Sequence, residues 1–333
     1  MKSKYKNVRR SRMSDNGGAI AIKGFNYQKA AIMLVMIDNY QKQNFKVIPE
    51  SKEDFEVHID NEIYFIQVKG TKKLSVKNLI KREKKETKIA KSIIEKNLEP
   101  GTDRNKRKIF VHSLADTTKK DLISEAGTIV TPIYKLSDDQ KKTVIDSLDL
   151  SNSQKNRLEN QKFYITPFSN DAILASTHLK GKMVEKDLLV TKKRADLVLG
   201  ALVQEIDAKS EIEVFSAKDI PRKIIDSEFL KEVFVNVQKK DMFDSILEKL
   251  PYNHLKKMKI GMEKTKLLVS YQSLKEKIKS KIKIEQLMDI TSDEEVVAII
   301  IKEIEKIEPT IGNEELKIAI SIDCYCEIGG ELT

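Results

Sequence analysis

Only two cysteines occur in 333 residues, Cys324 and Cys326. That is too few for a disulfide framework, and a zinc site would need further ligands. The four histidines are scattered and supply no such ligands in a recognisable spacing. In the alternating stretch where they fall, the two cysteines share one face and read as small apolar residues. No apolar run is long enough to span a membrane, the longest being "AAIMLVMI" at Ala30–Ile37. The N-terminus has no apolar core of the kind a signal peptide carries. It is also short of acid, with six basic residues before Asp15. No internal repeat is present. These absences lead to the expectation of a soluble, cytoplasmic protein.

What is present is a packed core and a lopsided charge. Hydrophobic residues make up 40% of the chain and charged residues 34%, mixed in sign, which argues against global disorder. Residues 1–120 hold 28 Lys/Arg against 14 Asp/Glu, a net of +14, and residues 121–333 hold 33 against 37, a net of −4. A basic first third is the usual footprint of a polyanion binder; uneven surface charge in a Lys-rich protein is the plainer reading.

The pattern divides the chain into three parts. Residues 1–16 form a basic flexible tail, 17–225 a mixed α/β domain, and 226–333 a mainly helical region suited to partner docking or oligomerisation, with amphipathic positions at Val296, Val297, Ile300, Ile304 and Ile307. The first domain opens with a largely buried helix over Gly24–Gln43. Strands follow at Phe45–Glu50, Asp54–Asp60 and Ile63–Lys69, the second alternating strictly. Ser75 caps a helix with an apolar stripe running to Ile94. Its basic flank, Lys77, Lys81, Arg82, Lys84, Lys85, Lys88 and Lys91, suits a DNA backbone. A fourth strand lies at Lys108–Ser113. Further helices are expected at Lys119–Ala126, Asp138–Asp149 and Arg194–Asp207, and a strand at Phe163–Phe168. Ser292 and Glu295 read as a capping box for the helix to Glu308, and Lys317–Ile328 alternates like a strand.

The informative stretch is "SKEDFEVHIDNEIYFIQVKGT", Ser51–Thr71. A two-residue turn at Asn61 and Glu62 sets Asp60 opposite Ile63, Asp54 opposite Lys69 and Glu56 opposite Gln67. Asp54, Glu56, Gln67 and Lys69 then converge on one face, with Phe55, Val57, Tyr64, Ile66 and Val68 on the other. Such a rim is either a solvated sheet edge or a metal site that cuts a phosphodiester. In the second case Asp54, the Gln67 side-chain oxygen and the Val68 carbonyl would hold Mg2+, with Mn2+ as the alternative ion. Lys69 would orient water and stabilise charge on the phosphate.

These residues carry a resemblance. "GGAIAIKGFNYQKAAIMLVM" with "PESKEDFEVHIDNEIYFIQVKGT" resembles the PD-(D/E)xK-type double-stranded DNA endonuclease domain of bacterial anti-phage defence. That domain occurs in CD-NTase-associated endonucleases and in the nuclease subunit of Lamassu systems. The shared pattern is Gly24, Tyr27 and Gln28 entering the first helix, the acid pair Glu53–Asp54, and Gln67–Val68–Lys69. It is clear over 17–113 and fades towards 225. It implies a restriction-endonuclease-like αβββαβ core with a mixed sheet and a metal-dependent endodeoxyribonuclease. Asp54, Gln67 and Lys69 would take the catalytic roles, and Glu50 and Gln28 would either support them or brace helix against sheet. Gln67 departs from the superfamily's usual acid; Glu56 would compensate or stand as a solvated neighbour, and His58 reads as structural. The short tail after 226 favours the Lamassu-like form, with double-stranded DNA, an SMC-like ATPase and an accessory subunit as partners and a homo-oligomer as the active state. The alternative is a catalytically inactive DNA-binding or scaffolding subunit.

Overall fold

A computed structural model describes residues 16–70, 73–85, 88–186, 188, 191–267 and 271–330. The basic tail expected at the start lies, but for Asn16, outside the described residues. The chain divides into two compact units, Met1–Lys231 and Glu232–Thr333.

The first unit begins with helix α1, Gly17–Asn39, exposed over its first turns and buried from Tyr27 onward. Strands β1 (Lys46–Pro49), β2 (Phe55–Ile59) and β3 (Glu62–Lys69) follow as an antiparallel meander. Then come α2 (Val76–Ile80), β4 (Glu83–Lys85), β5 (Lys88–Ala90), α3 (Ile93–Leu98) and β6 (Lys106–Val111). After them are α4 (Asp116–Lys119), β7 (Ile123–Glu125), β8 (Ile133–Lys135), α5 (Asp138–Ser147), α6 (Asn152–Glu159) and β9 (Gln161–Ile165). Helices α7 (Ala172–Glu185) and α8 (Lys192–Ser210), a 3-10 turn at Ile220–Lys223 and β10 (Ile225–Asp226) complete the unit. Eight strands form one mixed sheet in the order β10-β1-β2-β3-β6-β9-β8-β7, with β3, β6 and β9 parallel at its centre. This is a restriction-endonuclease-like arrangement, and a helical region follows it.

Three local readings of the sequence are corrected. The single helix expected from Ser75, with its apolar stripe running to Ile94 and its end at Pro100–Gly101, is α2, a separate two-stranded ribbon β4-β5, and α3. Between Lys81 and Lys91 the only apolar residues are Ile89 and Ala90, so no stripe exists for a helix to bury. A fresh capping box at Ser92 and Glu95 then starts α3. The helix expected at Lys119–Ala126 is the short α4 followed by β7. At Ser292 the hydroxyl caps the Glu294 N–H, not the box with Glu295.

One buried charge tests the sheet's energetics. Lys108 on β6 is 3% exposed and lies 5.4 Å from the Tyr64 ring centroid. Burial, and then Lys162 beside it, push its ammonium down to about 8 from 10.5. Below pH 8 the lysine is charged in folded and unfolded chains alike, and the folded state bears the full cost of burial. Between 8 and 10.5 only the unfolded chain keeps the proton, so this cost fades as pH rises. Lys108→Met is therefore expected to stabilise the protein at pH 7 by up to about 3 kcal/mol, with the gain shrinking between pH 8 and 10.5. Urea melts of both proteins across that window would check this.

The second unit holds most of α9 (Ser227–Lys249), then α10 (His254–Leu267), α11 (Gln272–Lys279), α12 (Ile284–Met288), α13 (Asp293–Ile307) and α14 (Glu314–Gly330). The stretch at Lys317–Ile328 is thus a helix and not the expected strand. Ile318, Ala319, Ile320, Ile322, Cys324 and Cys326 are all buried in one core; a helix buried nearly all round loses its 3.6 period and imitates alternation. Burial raises both thiols to about 12, so these cysteines are packing residues. Among the described residues no helix is long and apolar enough to cross a membrane.

Candidate active site

The β2-β3 turn uses Asp60 and Asn61, both at positive φ (49° and 66°), a type I′ geometry that Asp and Asn tolerate. The pairing is Phe55 with Ile66 and Ile59 with Glu62. Continued by one residue, it sets Asp54 opposite Gln67, so the expected register is corrected by two positions. Because side chains alternate with period two, a slip of two keeps every residue on its face. Gln67 and Lys69 stay on the face of Asp54, while Phe55, Val57, Tyr64, Ile66 and Val68 pack on the other.

Asp54 and Lys69 meet, and Gln67 stands opposite Asp54 on the adjoining strand. The Asp54 Oδ2 accepts the Val68 N–H at 2.6 Å and lies 3.9 Å from the Lys69 Nζ. Both charged side chains are about a quarter exposed, so the site opens to solvent (28% and 27%). Gln67 is 3% exposed, and its Oε1 is buried without a hydrogen-bond partner among the described residues. An unpaired buried amide oxygen costs about 1–3 kcal/mol. A hard cation that takes oxygen ligands would satisfy it. Among the described residues no group of three or more His, Cys, Asp or Glu could hold an ion, as expected where an amide replaces a carboxylate. The donor set of Asp54 and Gln67 beside an ammonium thus fits a weakly held, oxygen-ligated Mg2+ that keeps several waters.

Glu50 and Gln28 form a brace beside the acid. Glu50 has φ 46°, a strained value for a residue with a side chain. Three contacts hold it there, and a fourth ties Gln28 to Asp54. Gln28 Nε2 donates to Glu50 Oε1 at 2.7 Å and to the Asp54 carbonyl at 2.9 Å. The Glu50 N–H donates to the same Asp54 carbonyl at 3.0 Å. Lys223 donates to the Glu50 carbonyl at 2.7 Å. The loop carrying Asp54 is therefore tied to α1 and to the end of β1.

Lys223, and the surroundings of Glu53 and Glu56, were not legible in the sequence. Glu53 is pushed up to about 7, chiefly by burial and next by Asp54, against the pull of Asn97, Lys69 and Lys96. Glu56, expected as a solvated neighbour or substitute ligand, is 4% exposed and occupied. Its Oε1 accepts from Ser51 Oγ at 2.6 Å and its Oε2 pairs with His58 Nε2 at 3.0 Å, which anchors the loop before Asp54. Lys223 is 1% exposed and donates also to the Ile212 carbonyl at 3.0 Å. It lies 173 residues from Glu50 in the chain, beyond the reach of any local pattern. Lys223→Ala is expected to destabilise the protein by about 2 kcal/mol by leaving two carbonyls unpaired, measurable by urea denaturation.

The residues expected to contact DNA do not share one helix. Lys77 is exposed on α2; Lys81 and Arg82 precede the ribbon; Lys85 and Lys88 are paired across it. Arg82 is committed to Glu95, with Nε at 3.0 Å from both carboxylate oxygens and Nη2 at 2.5 Å from one.

Comparisons with known proteins bear on the family of the chain. The model of the Cap4 dsDNA endonuclease domain matches residues 16–210. The chain is 51% identical over 315 residues to the Lamassu protein LmuA of Bacillus sp., covering 95% of this chain and 98% of that protein. No solved structure matches. With Asp54, Gln67 and Lys69 gathered on two adjoining strands inside the matched region, the chain belongs to the Cap4 dsDNA endonuclease domain family.

Proposed function

We propose that this protein is the double-stranded DNA endonuclease effector of a Lamassu-type anti-phage system, dependent on Mg2+ or Mn2+. The observation that carries the reading is the meeting of Asp54 and Lys69 at 3.9 Å beside the unpartnered Gln67 oxygen. Asp54 and Gln67 would hold the ion, with the Val68 carbonyl as a further ligand. A bound divalent cation supplies Lewis-acid polarisation of the phosphate and a more acidic water. Lys69 orients the attacking water and stabilises negative charge as the phosphodiester is attacked. The Gln28–Glu50 brace holds the Asp54 backbone in place throughout. Glu53, Asp54 and Lys69 act on one another electrostatically, and a site that reads phosphate takes no sequence information from it.

A nuclease of this kind would harm its host unless restrained. We place that restraint in a complex with an SMC-like ATPase and an accessory subunit, contacted through the helical region 226–333, with 17–225 acting as the nuclease domain and a homo-oligomer as the cutting form. A second reading, a DNA-binding scaffold without activity, has in its favour the amide at Gln67 and that, among the described residues, no group of three or more His, Cys, Asp or Glu could hold an ion. Plasmid cutting by the assembled complex, with and without EDTA, separates the two. Metal-dependent cutting is expected; cutting that survives EDTA, or no cutting in any assembly, rejects the leading reading.

A further inference from the structure

The ribbon β4-β5 is left over by this account. Among the described residues its strands pair only with each other, Glu83 with Ala90, Lys84 with Ile89 and Lys85 with Lys88. A lone two-stranded ribbon adds little stability of its own. It is nevertheless pinned at both feet. Arg82 forks onto Glu95, and Lys91 pairs with Glu99 just beyond the end of α3. The Arg82 contact, above all, holds the Glu95 carboxyl down at about 2. Helix α3 in turn reaches the site, because Asn97 is buried against Glu53 and donates to the Phe65 carbonyl on β3 at 3.4 Å. Phe65 shares a sheet face with Gln67 and Lys69. Ile94 and Leu98 of α3 share a core with Ile109 and Val111, which stand opposite Gln67 and Lys69 and face the same way, so the ribbon is joined to a helix on the site's side of the sheet.

Its composition is one-sided. From Lys81 to Lys91 there are six basic residues and two acidic ones. Lys81, Arg82, Glu83 and Lys84 are all exposed. Ile89 is 69% exposed and packs into no core. Directly opposed residues share a face, so Lys84 and Ile89 stand together, a cation beside an apolar side chain. Lysines alone would be explained as protection of a sheet edge; the ribbon sets an exposed apolar side chain on the same face as a lysine.

We propose that this ribbon enters a groove of duplex DNA, with Lys84 on the phosphate backbone and Ile89 against the sugars and base edges. A two-stranded ribbon fits the width of the major groove, and the net positive charge matches the polyanion. The proposal rests on the nuclease reading and adds to it the element that seats the substrate. Neither side chain offers hydrogen-bond discrimination among bases, so the ribbon contributes hold and orientation, not sequence choice.

The test is fluorescence anisotropy of a short labelled duplex with the full chain in EDTA over a salt series. Wild type, Lys84→Ala, Ile89→Ala, Ile89→Leu and Lys69→Met are compared. Lys84→Ala is expected to reduce the slope of log affinity against log salt by about one. Ile89→Ala is expected to weaken binding about tenfold at unchanged slope, as apolar contact is lost, and Ile89→Leu to restore it. Wild-type affinity and slope in both alanine variants, or no duplex binding by the wild type, overturns the proposal. So does loss of complex assembly in these variants with DNA binding intact, which would make the ribbon a protein-docking surface. The nuclease reading is judged separately by cutting: loss of cutting in Lys69→Met with unaffected ribbon variants overturns the ribbon alone. Ribbon-dependent binding without cutting in any assembly upholds the ribbon and removes the nuclease reading.

Discussion

Lys69→Met is expected to reduce duplex cutting by roughly 10²–10³-fold while leaving duplex binding and thermal stability close to wild type. The magnitude is that of removing one preorganised charge or donor from a developing oxyanion. The side chain is partly exposed and its ion pair with Asp54 is long at 3.9 Å, so its structural worth is small. Asp54 also keeps its bond from the Val68 N–H, which holds the acid when the lysine is gone. The measurement is single-turnover cutting of supercoiled plasmid beside duplex binding in EDTA. A variant that cuts at the wild-type rate would remove Lys69 from the chemistry. One that fails to bind DNA would make it a phosphate anchor only.

Arg107→Met is expected to cost about 3–5 kcal/mol of stability, the largest effect of any single change considered. Arg107 is 0% exposed. Its guanidinium donates to four backbone carbonyls, Asn97 at 3.1 Å, Asn105 at 2.8 Å, Pro100 at 2.5 Å and Thr102 at 3.2 Å. It also lies 5.9 Å from the Phe65 ring centroid. Methionine would fill much of the space but leave those carbonyls buried and unpaired, each a desolvation cost. Lys is expected to rescue poorly, because an ammonium cannot span the fork that the guanidinium provides. The loop concerned includes Gly101, at φ 73°, where a Cβ would lie 2.4 Å from the Phe65 ring. Chemical denaturation of Arg107→Met and Arg107→Lys checks the cost. An effect under 1 kcal/mol would show that water replaces the lost donors.

Much of the site was legible because it is local. Asp54, Gln67 and Lys69 sit on one hairpin, and strict alternation assigns their faces whatever the turn. The turn itself was misplaced by one residue at each side, since Asp60-Asn61 and Asn61-Glu62 are both plausible two-residue loops by length. Only the positive φ of Asp60 and Asn61 decides between them. The error moved Asp54 from Lys69 to Gln67 as its opposite partner without turning any side chain over. The long helix at 75–94 failed for another reason. Its stripe joined apolar residues from α2 and α3 across a charged gap, although that gap and the capping box at Ser92 and Glu95 are local marks of the interruption.

By itself the sequence determined the opening order of the first unit, a helix and then three strands, the basic character of its first third, and the faces of the β2-β3 hairpin. These depend on periodicity, charge and short-range geometry, which neighbours in the chain dictate. Tertiary structure alone decided that Glu56 is buried and held by Ser51 and His58, that Lys223 reaches back to Glu50, and that Arg107 carries the loop beside Glu53. It also decided that Lys317–Ile328 is helical. Such choices depend on which distant residues share a buried space, where an unpaired polar group is costly and must find a partner wherever the fold brings one.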